Sequence, residues 1–324
     1  MTENGSTPQV SAVLATHNSA ADVTATLQSI VRQTMDCIRE IVVVDDASTD
    51  DSRDVVTGFG DPRIRLVSLK SNQGVSRARQ IGMEAARFDW IAFNDADDVW
   101  LDDKLERQFA LLHAHPEAIA CVGGSGRLHR DGRRQWRASC GRWQWCPEEN
   151  PSASAPPFFR PVLDGHVYLQ SLVVRREAAL TESFKPELTL MQDQDYLLRL
   201  GRHGRCVITE RPVFLYRLGF FNTTAPGRMQ ARTFLANRDY LYRATDAFRQ
   251  GIAEPDVTSF LREHVSLPDE IEAFEVRQRF RQFNTVWVQR GLPQALWALA
   301  GMFVQHPVQS SRFVARRLHH WGSR

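Results

Sequence analysis

Three carboxylates lie within four residues, at Asp95, Asp97 and Asp98. They directly follow the apolar run Trp90–Phe93, whose length and composition are typical of a buried strand. Side chains alternate along an extended chain, so Asp95 and Asp97 are expected to point to the same side. Two such carboxylates repel each other unless a cation lies between them, and their oxygens suit Mg²⁺ or Mn²⁺. The alternative is a solvated acidic turn that caps a helix beginning near Asp102.

A sheet would have to position these carboxylates, because apolar runs alternate with helical periodicities through the first part of the chain. The predicted strands are Val10–Ala15, Glu40–Val44, Ile64–Leu69, Trp90–Phe93 and Ala118–Val122. The predicted helices are Asp22–Gln33, Asp51–Phe59, Val75–Arg87 and Leu101–His113. This alternation predicts an α/β fold with βαβ units and a mostly parallel sheet. Continuous Ile and Val runs fit strands that are buried on both faces.

The pattern becomes irregular after the fifth predicted strand. Gly123–Gly126 is predicted to be a flexible turn, followed by an Arg- and Trp-rich segment and a Pro/Ser-rich loop that ends near Pro161. An acceptor-side flap and plain surface packing are both compatible with this long loop. The later predicted elements are a strand over Tyr168–Arg175, a helix from Met191 to Leu200, a strand over Cys206–Tyr216 and helical sequence from Arg228 onward.

Polar residues follow three of the predicted strands at the point where each strand ends. These clusters are Thr16-His17-Asn18, Asp45-Asp46 and the acidic segment Asp95–Asp98. Each one alone is explained by ordinary loop polarity. However, ligands bind α/β sheets at the carboxyl ends of the strands. The shared position of the three clusters therefore predicts one common binding site.

Composition narrows the class of protein. The net charge of +2 gives no argument for nucleic-acid binding. The five cysteines are scattered and odd in number, which favours reduced thiols in the cytoplasm. The first ten residues are polar, so no signal peptide is expected there. No apolar run approaches the roughly 20 residues needed to cross a bilayer.

The segment 276–324 has an unusual charge pattern. It contains eight arginines and no acidic residue, with tryptophan and phenylalanine interleaved. This pattern is compatible with a basic amphipathic helix lying on an anionic membrane surface. A helix packed on the protein with its arginine face in water is the alternative.

The sequence resembles family 2 glycosyltransferases of the GT-A fold over roughly residues 9 to 218. The matching segments are Val13–Asn18, Val42–Asp50, Asn72–Gly74 with Ala78, Arg79 and Gly82, Asp95–Asp98, and Asp193 with Arg199 and Leu200. They occur in the order and spacing of that family. The resemblance implies a GT-A sheet, a nucleotide-sugar donor with UDP favoured, Mn²⁺ or Mg²⁺ as cofactor, and inverting transfer to a hydroxyl of a glycan or lipid-linked acceptor.

The resemblance also implies roles for individual residues. Asp46 is similar to the carboxylate that reads the nucleobase, and Arg79 matches an arginine that lines the donor pocket. Asp95 is similar to a carboxylate near the ribose and the metal ion. Asp97 matches the metal ligand on the diphosphate. Asp193 falls where the family has its catalytic base.

Ala15 and His17, in the first matching segment, are also placed in the donor pocket by the resemblance. Two positions depart from the family pattern. His17 stands where tyrosine is usual, so stacking on the base would use an imidazole. Gln192 stands where glutamate usually precedes the base, which lowers the local charge. The chain has no Gln-x-x-Arg-Trp motif, which argues against a processive polysaccharide synthase.

The resemblance further implies a division of the chain and a cellular role. Residues 1–220 would form the catalytic domain, with a nucleotide-binding half over about 9–125 and an acceptor half over 126–220. Residues 221–324 would form a helical region, for which contact with the membrane is one of the two alternatives above. The implied role is cell-surface polysaccharide biosynthesis by a cytoplasmic enzyme, either free or peripheral on the inner face of the plasma membrane.

Two other functions are compatible with parts of the sequence. A sugar-1-phosphate nucleotidyltransferase has a related acidic metal site, but the first strand of such enzymes usually leads into a Gly-rich loop, and Thr16–Ser19 contains no glycine. A non-catalytic module that binds nucleotide-sugars would not need Asp193. A Rossmann dehydrogenase is disfavoured because no Gly-x-Gly-x-x-Gly follows the first strand.

Overall fold

A computed structural model describes residues 7–128, 134–136, 167–217, 231–251 and 253–263. The strands are β1 (Val10–Thr16), β2 (Ile38–Asp45), β3 (Ile64–Ser68), β4 (Trp90–Asp95), β5 (Val99–Trp100), β6 (Ala118–Leu128), β7 (Arg134–Trp136), β8 (Val173–Arg175) and β9 (Arg205–Arg217). The helices are α1 (Val23–Val31), α2 (Ser52–Gly58), α3 (Val75–Ala85), α4 (Lys104–Ala114), α5 (Arg176–Ala179), α6 (Gln192–Leu200), α7 (Ala231–Gln250) and α8 (Val257–Glu263). A 3₁₀ turn, Leu169–Ser171, precedes β8.

The strands form one mixed sheet in the order β3-β2-β1-β4-β8-β6-β9-β5, and β7 pairs with β6. The pairs β3–β2, β2–β1, β1–β4 and β6–β9 are parallel. Strand β8 runs antiparallel to both β4 and β6, and β5 runs antiparallel to β9. The predicted α/β fold with a mixed, mostly parallel sheet between helices is therefore confirmed, and the part of the sheet formed by β1, β2, β3 and β4 is entirely parallel.

The chain divides into two compact units, one of Met1–Gly219 with Leu241–Glu254 and the other of Phe220–Tyr240 with Pro255–Arg324. The sheet lies in the first unit, where β1 is buried along its whole length. Strand β2 is buried except at Arg39. Both faces of these strands are mainly apolar, as expected of a parallel sheet covered by helices on both sides, and the buried polar pair Ser11 and Glu40 is hydrogen-bonded. None of the described helices is long and apolar enough to cross a membrane.

Two sequence predictions about the middle of the chain were wrong. Gly123–Gly126 is not a flexible turn but part of β6, where it pairs with β9. The segment Tyr168–Arg175 is not one strand, because the 3₁₀ turn Leu169–Ser171 comes before β8. The Arg- and Trp-rich segment and the Pro/Ser-rich loop fall almost entirely outside the described residues. So does the segment 276–324.

Helix α3 lies very close to β1 because Gly82 faces the strand. A Cβ atom at position 82 would come within 2.6 Å of Val13 Cγ1, a distance that real side chains do not adopt. Arg79, one turn earlier on the same helix, is thereby brought over the carboxyl end of the sheet. The site thus depends on a helix–strand contact that only glycine allows.

Helix α6 is held against β4 by aromatic packing. Tyr196 is fully buried, and its ring stacks on Phe184 at a centroid distance of 4.2 Å. The same ring meets Phe93 of β4 edge-on at 6.3 Å. The Tyr196 hydroxyl donates a hydrogen bond to the Ala179 carbonyl at 3.0 Å. These contacts fix the first turn of α6, which carries Asp193, relative to β4, which ends at Asp95.

The core also contains a lysine with no exposed surface. The Nζ atom of Lys104 donates to Gln108 Oε1 at 2.5 Å and to the Ser171 carbonyl at 3.3 Å. It also lies 4.8 Å from the centre of the Trp100 ring. Burial lowers the pKa of Lys104 to about 7, because removal from water disfavours the charged form.

This burial predicts an unusual dependence of stability on pH. In the unfolded chain the pKa of Lys104 returns to about 10.4, so between pH 7 and 10 the unfolded state binds more protons than the folded state. Stability should therefore rise with pH in this window, at up to about 1.4 kcal/mol per pH unit. We expect the free energy of unfolding of wild type, minus that of Lys104→Met, to increase by roughly 2 kcal/mol from pH 7 to pH 9.

Urea unfolding of both proteins at pH 7, 8 and 9 measures this difference. Lys70→Met is a matched control, since Lys70 is exposed, and it should follow the wild-type profile. Parallel pH profiles for wild type and Lys104→Met would contradict the prediction.

Candidate functional site

The carboxyl ends of β1, β2 and β4 meet at one edge of the sheet. Ala15 of β1 pairs with Asp95 of β4, and Thr16 pairs with Asp45 of β2. The Asp46 N–H continues this pairing with a hydrogen bond to the Thr16 carbonyl at 2.9 Å. The three polar clusters that the sequence singled out are therefore neighbours, as predicted from the parallel topology.

His17 is held between the loops that follow β1, β2 and β3. Its Nδ1 lies 2.8 Å from the Asp46 carbonyl, and its Nε2 lies 3.1 Å from the amide nitrogen of Asn72. A carbonyl oxygen can only accept, so Nδ1 carries the proton and Nε2 accepts from Asn72. These two contacts fix the orientation of the imidazole ring.

The side chain of Asp46 organises the loop before α3. Its two carboxylate oxygens accept hydrogen bonds from the backbone N–H groups of Gln73 at 2.7 Å and Gly74 at 2.8 Å. The residue is only 3% exposed. Besides the nucleobase contact implied by the resemblance, Asp46 therefore has a clear role in shaping this loop.

Two side chains donate hydrogen bonds to the carboxylate of Asp95. Arg79 Nη2 donates to both of its oxygens, at 2.7 and 2.8 Å, and Gln170 Nε2 donates to Oδ2 at 2.5 Å. Both partners are at least 95% buried, whereas the Asp95 side chain is 22% exposed. Two further nitrogens of Arg79, Nε and Nη1, are buried without a partner among the described residues.

The acidic segment after β4 differs from the sequence expectation in one respect. Strand β4 ends at Asp95, and the Asp98 N–H turns back to the Asp95 carbonyl at 3.1 Å. Asp97 therefore lies in a turn, and strand alternation is not what brings it near Asp95. The alternative of a solvated acidic turn is also wrong, because Asp98 is fully buried and accepts a hydrogen bond from the Arg217 N–H at 2.9 Å.

The two carboxylates at this turn still influence each other. Burial, and then the negative charge of Asp95, raise the pKa of Asp97 to about 6, although Arg217 partly opposes the rise. A divalent cation would relieve the repulsion that raises the pKa of Asp97, and carboxylate oxygens are the ligands that Mg²⁺ and Mn²⁺ prefer. No group of three or more acidic, histidine or cysteine residues in the described part of the chain forms a ready-made metal cage. The donor set of Asp95 and Asp97 thus fits a cation whose remaining ligands come from substrate.

Asp193 lies in the first turn of α6, close after Met191, whose φ of 61° is left-handed. Removal from water, and to a smaller extent the charge of Asp95, raise the pKa of Asp193, while Arg79 opposes the rise. In turn, Asp95 and Asp193 together outweigh the effect of burial and raise the pKa of Arg79. The guanidinium group of Arg79 therefore interacts electrostatically with both Asp95 and Asp193.

Asp195, the other acid on this helix, has different surroundings. It is 1% exposed, and Arg199 Nε and Nη2 donate to its Oδ2 at 3.0 and 2.6 Å. Lys185 Nζ is 3.8 Å from its other oxygen. Asp195 therefore forms a buried ion pair with Arg199 that stabilises α6.

All of the residues predicted for the site lie around one edge of the sheet: Ala15, His17, Asp46, Arg79, Asp95, Asp97 and Asp193. Sequence reasoning missed Gln170, which carries no motif and comes from a 3₁₀ turn. It also missed the link between Asp98 and Arg217. No sequence signal points to Gln170. For Asp98 there was a signal, because three aspartates so close together suggest that one of them has a buried partner.

The mixed sheet, with its acidic turn after β4, has the arrangement of GT-A proteins. Residues 11–168, just under half of the chain, match the family described as Glycosyl transferase family 2. Over this segment the chain is similar to that family, and its mixed sheet between helices is that of the GT-A fold.

Individual relatives agree with this assignment. The chain is 39% identical over 126 residues to the succinoglycan biosynthesis protein ExoO of Rhizobium meliloti, a match that covers 39% of this chain and 36% of ExoO. It is 34% identical over 103 residues to the Escherichia coli protein WfgD, named a UDP-Glc:alpha-D-GlcNAc-diphosphoundecaprenol beta-1,3-glucosyltransferase. That match covers 32% of this chain and 40% of WfgD. The chain thus matches less than half the length of these curated relatives.

Among solved structures, the mannosyltransferase PcManGT of Pyrobaculum calidifontis, in complex with GDP-Man and Mn²⁺, has the same fold. The TM-score is 0.54 at 19% sequence identity, and the superposition covers 97% of this chain and 81% of PcManGT.

Proposed function

We propose that this protein is an inverting glycosyltransferase that moves a sugar from a nucleoside diphosphate sugar to a hydroxyl group. The observation that carries the proposal is the position of Arg79, which binds Asp95 directly and interacts with the charge of Asp193. The carboxylate of Asp95 and the charge of the candidate base Asp193 thereby act on one and the same guanidinium group.

The proposed division of labour follows from the chemistry of each group. An acceptor hydroxyl becomes a good nucleophile when a base lies within hydrogen-bond reach, about 2.6–3.2 Å, and takes its proton. Asp193, with its raised pKa, is the proposed base. A single displacement by that oxygen inverts the anomeric carbon. His17, Ala15 and Asp46 are proposed to bind the nucleoside end of the donor.

Asp97 and Asp95 are the residues that would hold Mn²⁺ or Mg²⁺. When bound there, the cation would neutralise the charge that develops on the leaving diphosphate. The Mn²⁺ complex of PcManGT, which has the same fold, supports this part of the proposal.

The proposed donor is a UDP-sugar and the proposed acceptor a glycan or a lipid-linked sugar, within cell-surface polysaccharide biosynthesis. The names of WfgD and ExoO support this choice. The GDP-Man complex of PcManGT supports a guanosine diphosphate sugar as the alternative donor. We further propose that residues 1–220 form the catalytic domain and residues 221–324 a helical region. Contact of 276–324 with an anionic membrane from the cytoplasmic side is proposed on the sequence alone.

Asp46→Ala should weaken nucleotide binding and lower stability together. The two N–H groups of Gln73 and Gly74 would lose a charged acceptor, which costs about 1–3 kcal/mol, and the loop before α3 would loosen. Titration with UDP and urea unfolding measure the two effects. Asp61→Ala is the matched control, since Asp61 also accepts from a backbone N–H and from an arginine but lies away from the site. Unchanged UDP affinity in Asp46→Ala would refute the assignment of this residue to the donor site.

Thermal unfolding with a panel of ligands tests the proposal as a whole. UDP, GDP, dTDP and their common sugar conjugates would each be added with Mn²⁺. A ligand that binds only the folded state raises stability, by about 2.7 kcal/mol at a hundredfold excess over Kd. At least one nucleoside diphosphate should raise Tm. A complete lack of stabilisation by all members of the panel would refute the proposed function.

A further inference from the structure

Gln170 contacts the donor-side carboxylate, although nothing in its sequence context marks it as functional. It lies on the 3₁₀ turn Leu169–Ser171 and is 5% exposed. Its Nε2 donates to Asp95 Oδ2 at 2.5 Å. The contact joins residues 75 positions apart in the chain.

The orientation of this amide is fixed by its partner. A carboxylate only accepts hydrogen bonds, so the NH₂ group of Gln170 must face Asp95 and the carbonyl Oε1 must face away. Oε1 is buried and has no hydrogen-bond partner among the described residues. A buried acceptor without a partner costs free energy, so packing alone would favour an apolar side chain of the same length. The amide is therefore explained by what its NH₂ group does to Asp95.

The turn that carries Gln170 is rigidly supported. The carbonyl of Ser171 accepts hydrogen bonds from Gln108 Nε2 at 2.8 Å and from Lys104 Nζ at 3.3 Å. The Ser171 hydroxyl donates to the Tyr168 carbonyl at 2.7 Å. A side chain that rises from such a turn can hold its partner in one orientation.

The chemical nature of the two partners of Asp95 also differs. Arg79 brings a positive charge, whereas Gln170 brings a neutral donor. A neutral donor orients the carboxylate without adding a second positive charge to that of Arg79. Residues in this position behind a metal ligand typically change metal affinity or activity by roughly 10–100-fold when they are replaced.

We propose that Gln170 is a positioning residue of the donor site, which holds Asp95 in the orientation that a nucleoside diphosphate and its divalent cation require. This inference rests on the proposed function. It assigns the 3₁₀ turn before β8 to the donor side of the site.

The test measures nucleotide affinity and does not depend on knowing the acceptor. Gln170→Met removes the donor and keeps the length of the side chain, and Gln170→Asn keeps the amide but is one methylene too short to reach Asp95. Ser171→Ala is the control, because it removes a hydrogen bond from the same turn without touching Asp95. Each protein is titrated calorimetrically with the nucleoside diphosphate that wild type binds most tightly among UDP, GDP and dTDP, with and without Mn²⁺.

We expect both Gln170 variants to bind the nucleotide at least about tenfold more weakly in the presence of Mn²⁺, while Ser171→Ala stays within about twofold of wild type, since its change leaves Asp95 bonded. Without Mn²⁺ the differences among the four proteins should become smaller. Circular dichroism melting of each variant establishes that it is folded, and Gln170→Asn serves if Gln170→Met does not fold.

Wild-type affinity in the Gln170 variants would overturn the inference and leave the proposed function standing. An equal loss in Ser171→Ala would also overturn it, since the effect would then come from the turn as a whole. A wild-type protein that binds none of the nucleotides would overturn the proposed function and this inference with it.

Discussion

Asp193→Asn is expected to slow sugar transfer at least about a hundredfold, in line with the roughly 10²–10⁴-fold contribution of a general base. Asparagine has nearly the same size as aspartate but cannot take a proton from the acceptor hydroxyl. Helix α6 should be little affected, because Asp193 follows the N-cap Met191 in the first turn, where the loss of its charge costs only about 0.3–1 kcal/mol. The variant should therefore melt close to wild type and bind the donor nucleotide normally. Turnover, Tm and nucleotide affinity are measured on the same preparation.

Asp195→Asn is the matched comparison on the same helix. Its carboxylate pairs with Arg199 in the interior, so its loss should mainly lower stability, by an amount typical of a broken buried ion pair, roughly 3–5 kcal/mol. The two variants thus separate a chemical role from a structural one. Near-normal transfer by Asp193→Asn would leave that residue as part of the helix start and remove it from the mechanism.

Removal of divalent metal is expected to have an effect of similar size. Asp95 and Asp97 repel each other, and a donor diphosphate would add further negative charge at the same place. Without a cation, binding of the diphosphate should be lost. The cation would stabilise the transition state of sugar transfer by several kcal/mol, so its removal should slow transfer at least about a hundredfold. EDTA should therefore abolish nucleotide binding and transfer, and added Mn²⁺ or Mg²⁺ should restore both.

Asp97→Asn should reproduce the effect of EDTA and should not be rescued by excess metal ion. Asp54→Asn is a suitable control, because Asp54 is an exposed acid on α2. Transfer activity that is the same in EDTA and in Mn²⁺ would contradict this prediction and would remove the metal ion from the proposed function.

Much of the parallel part of the sheet, from β1 to β4, was predictable from the sequence for a simple physical reason. A strand buried on both faces is mainly apolar, and most of β1 and β2 has this composition. Parallel strands end at the same edge, so the polar residues that follow them can be grouped from their positions in the chain. His17, Asp46 and Asp95 were found in this way.

The antiparallel half was harder to predict, and β6 illustrates the reason. Gly123 suggests a turn when only local propensity is considered. In the fold, a Cβ atom at this position would lie 2.8 Å from side-chain atoms of both Thr209 and Val213 of β9. Glycine is thus required by a neighbouring strand that comes much later in the chain, as the pairing shows. No local pattern contains that information.

Gln170 was missed for the same reason, since its partner Asp95 is distant in sequence and the turn that carries it has no recognisable pattern. For Asp97 the predicted location was right but the physical reason given for it was wrong. Its closeness to Asp95 was expected from strand alternation, but a turn with a hydrogen bond from Asp98 to Asp95 brings it there. The residues of a site can therefore be predicted more securely than the geometry that unites them.

The central claim is tested most directly by the release of nucleoside diphosphate from nucleotide-sugars. Purified protein with Mn²⁺ would be incubated with each sugar nucleotide of the panel, using water and a membrane lipid extract as acceptors, and the released diphosphate would be quantified by mass spectrometry. We predict release from at least one sugar nucleotide, abolished by EDTA and reduced at least about a hundredfold in Asp193→Asn. If wild type binds nucleotide-sugars but releases diphosphate from none of them, or if Asp193→Asn releases it as fast as wild type, the proposed transferase mechanism is contradicted.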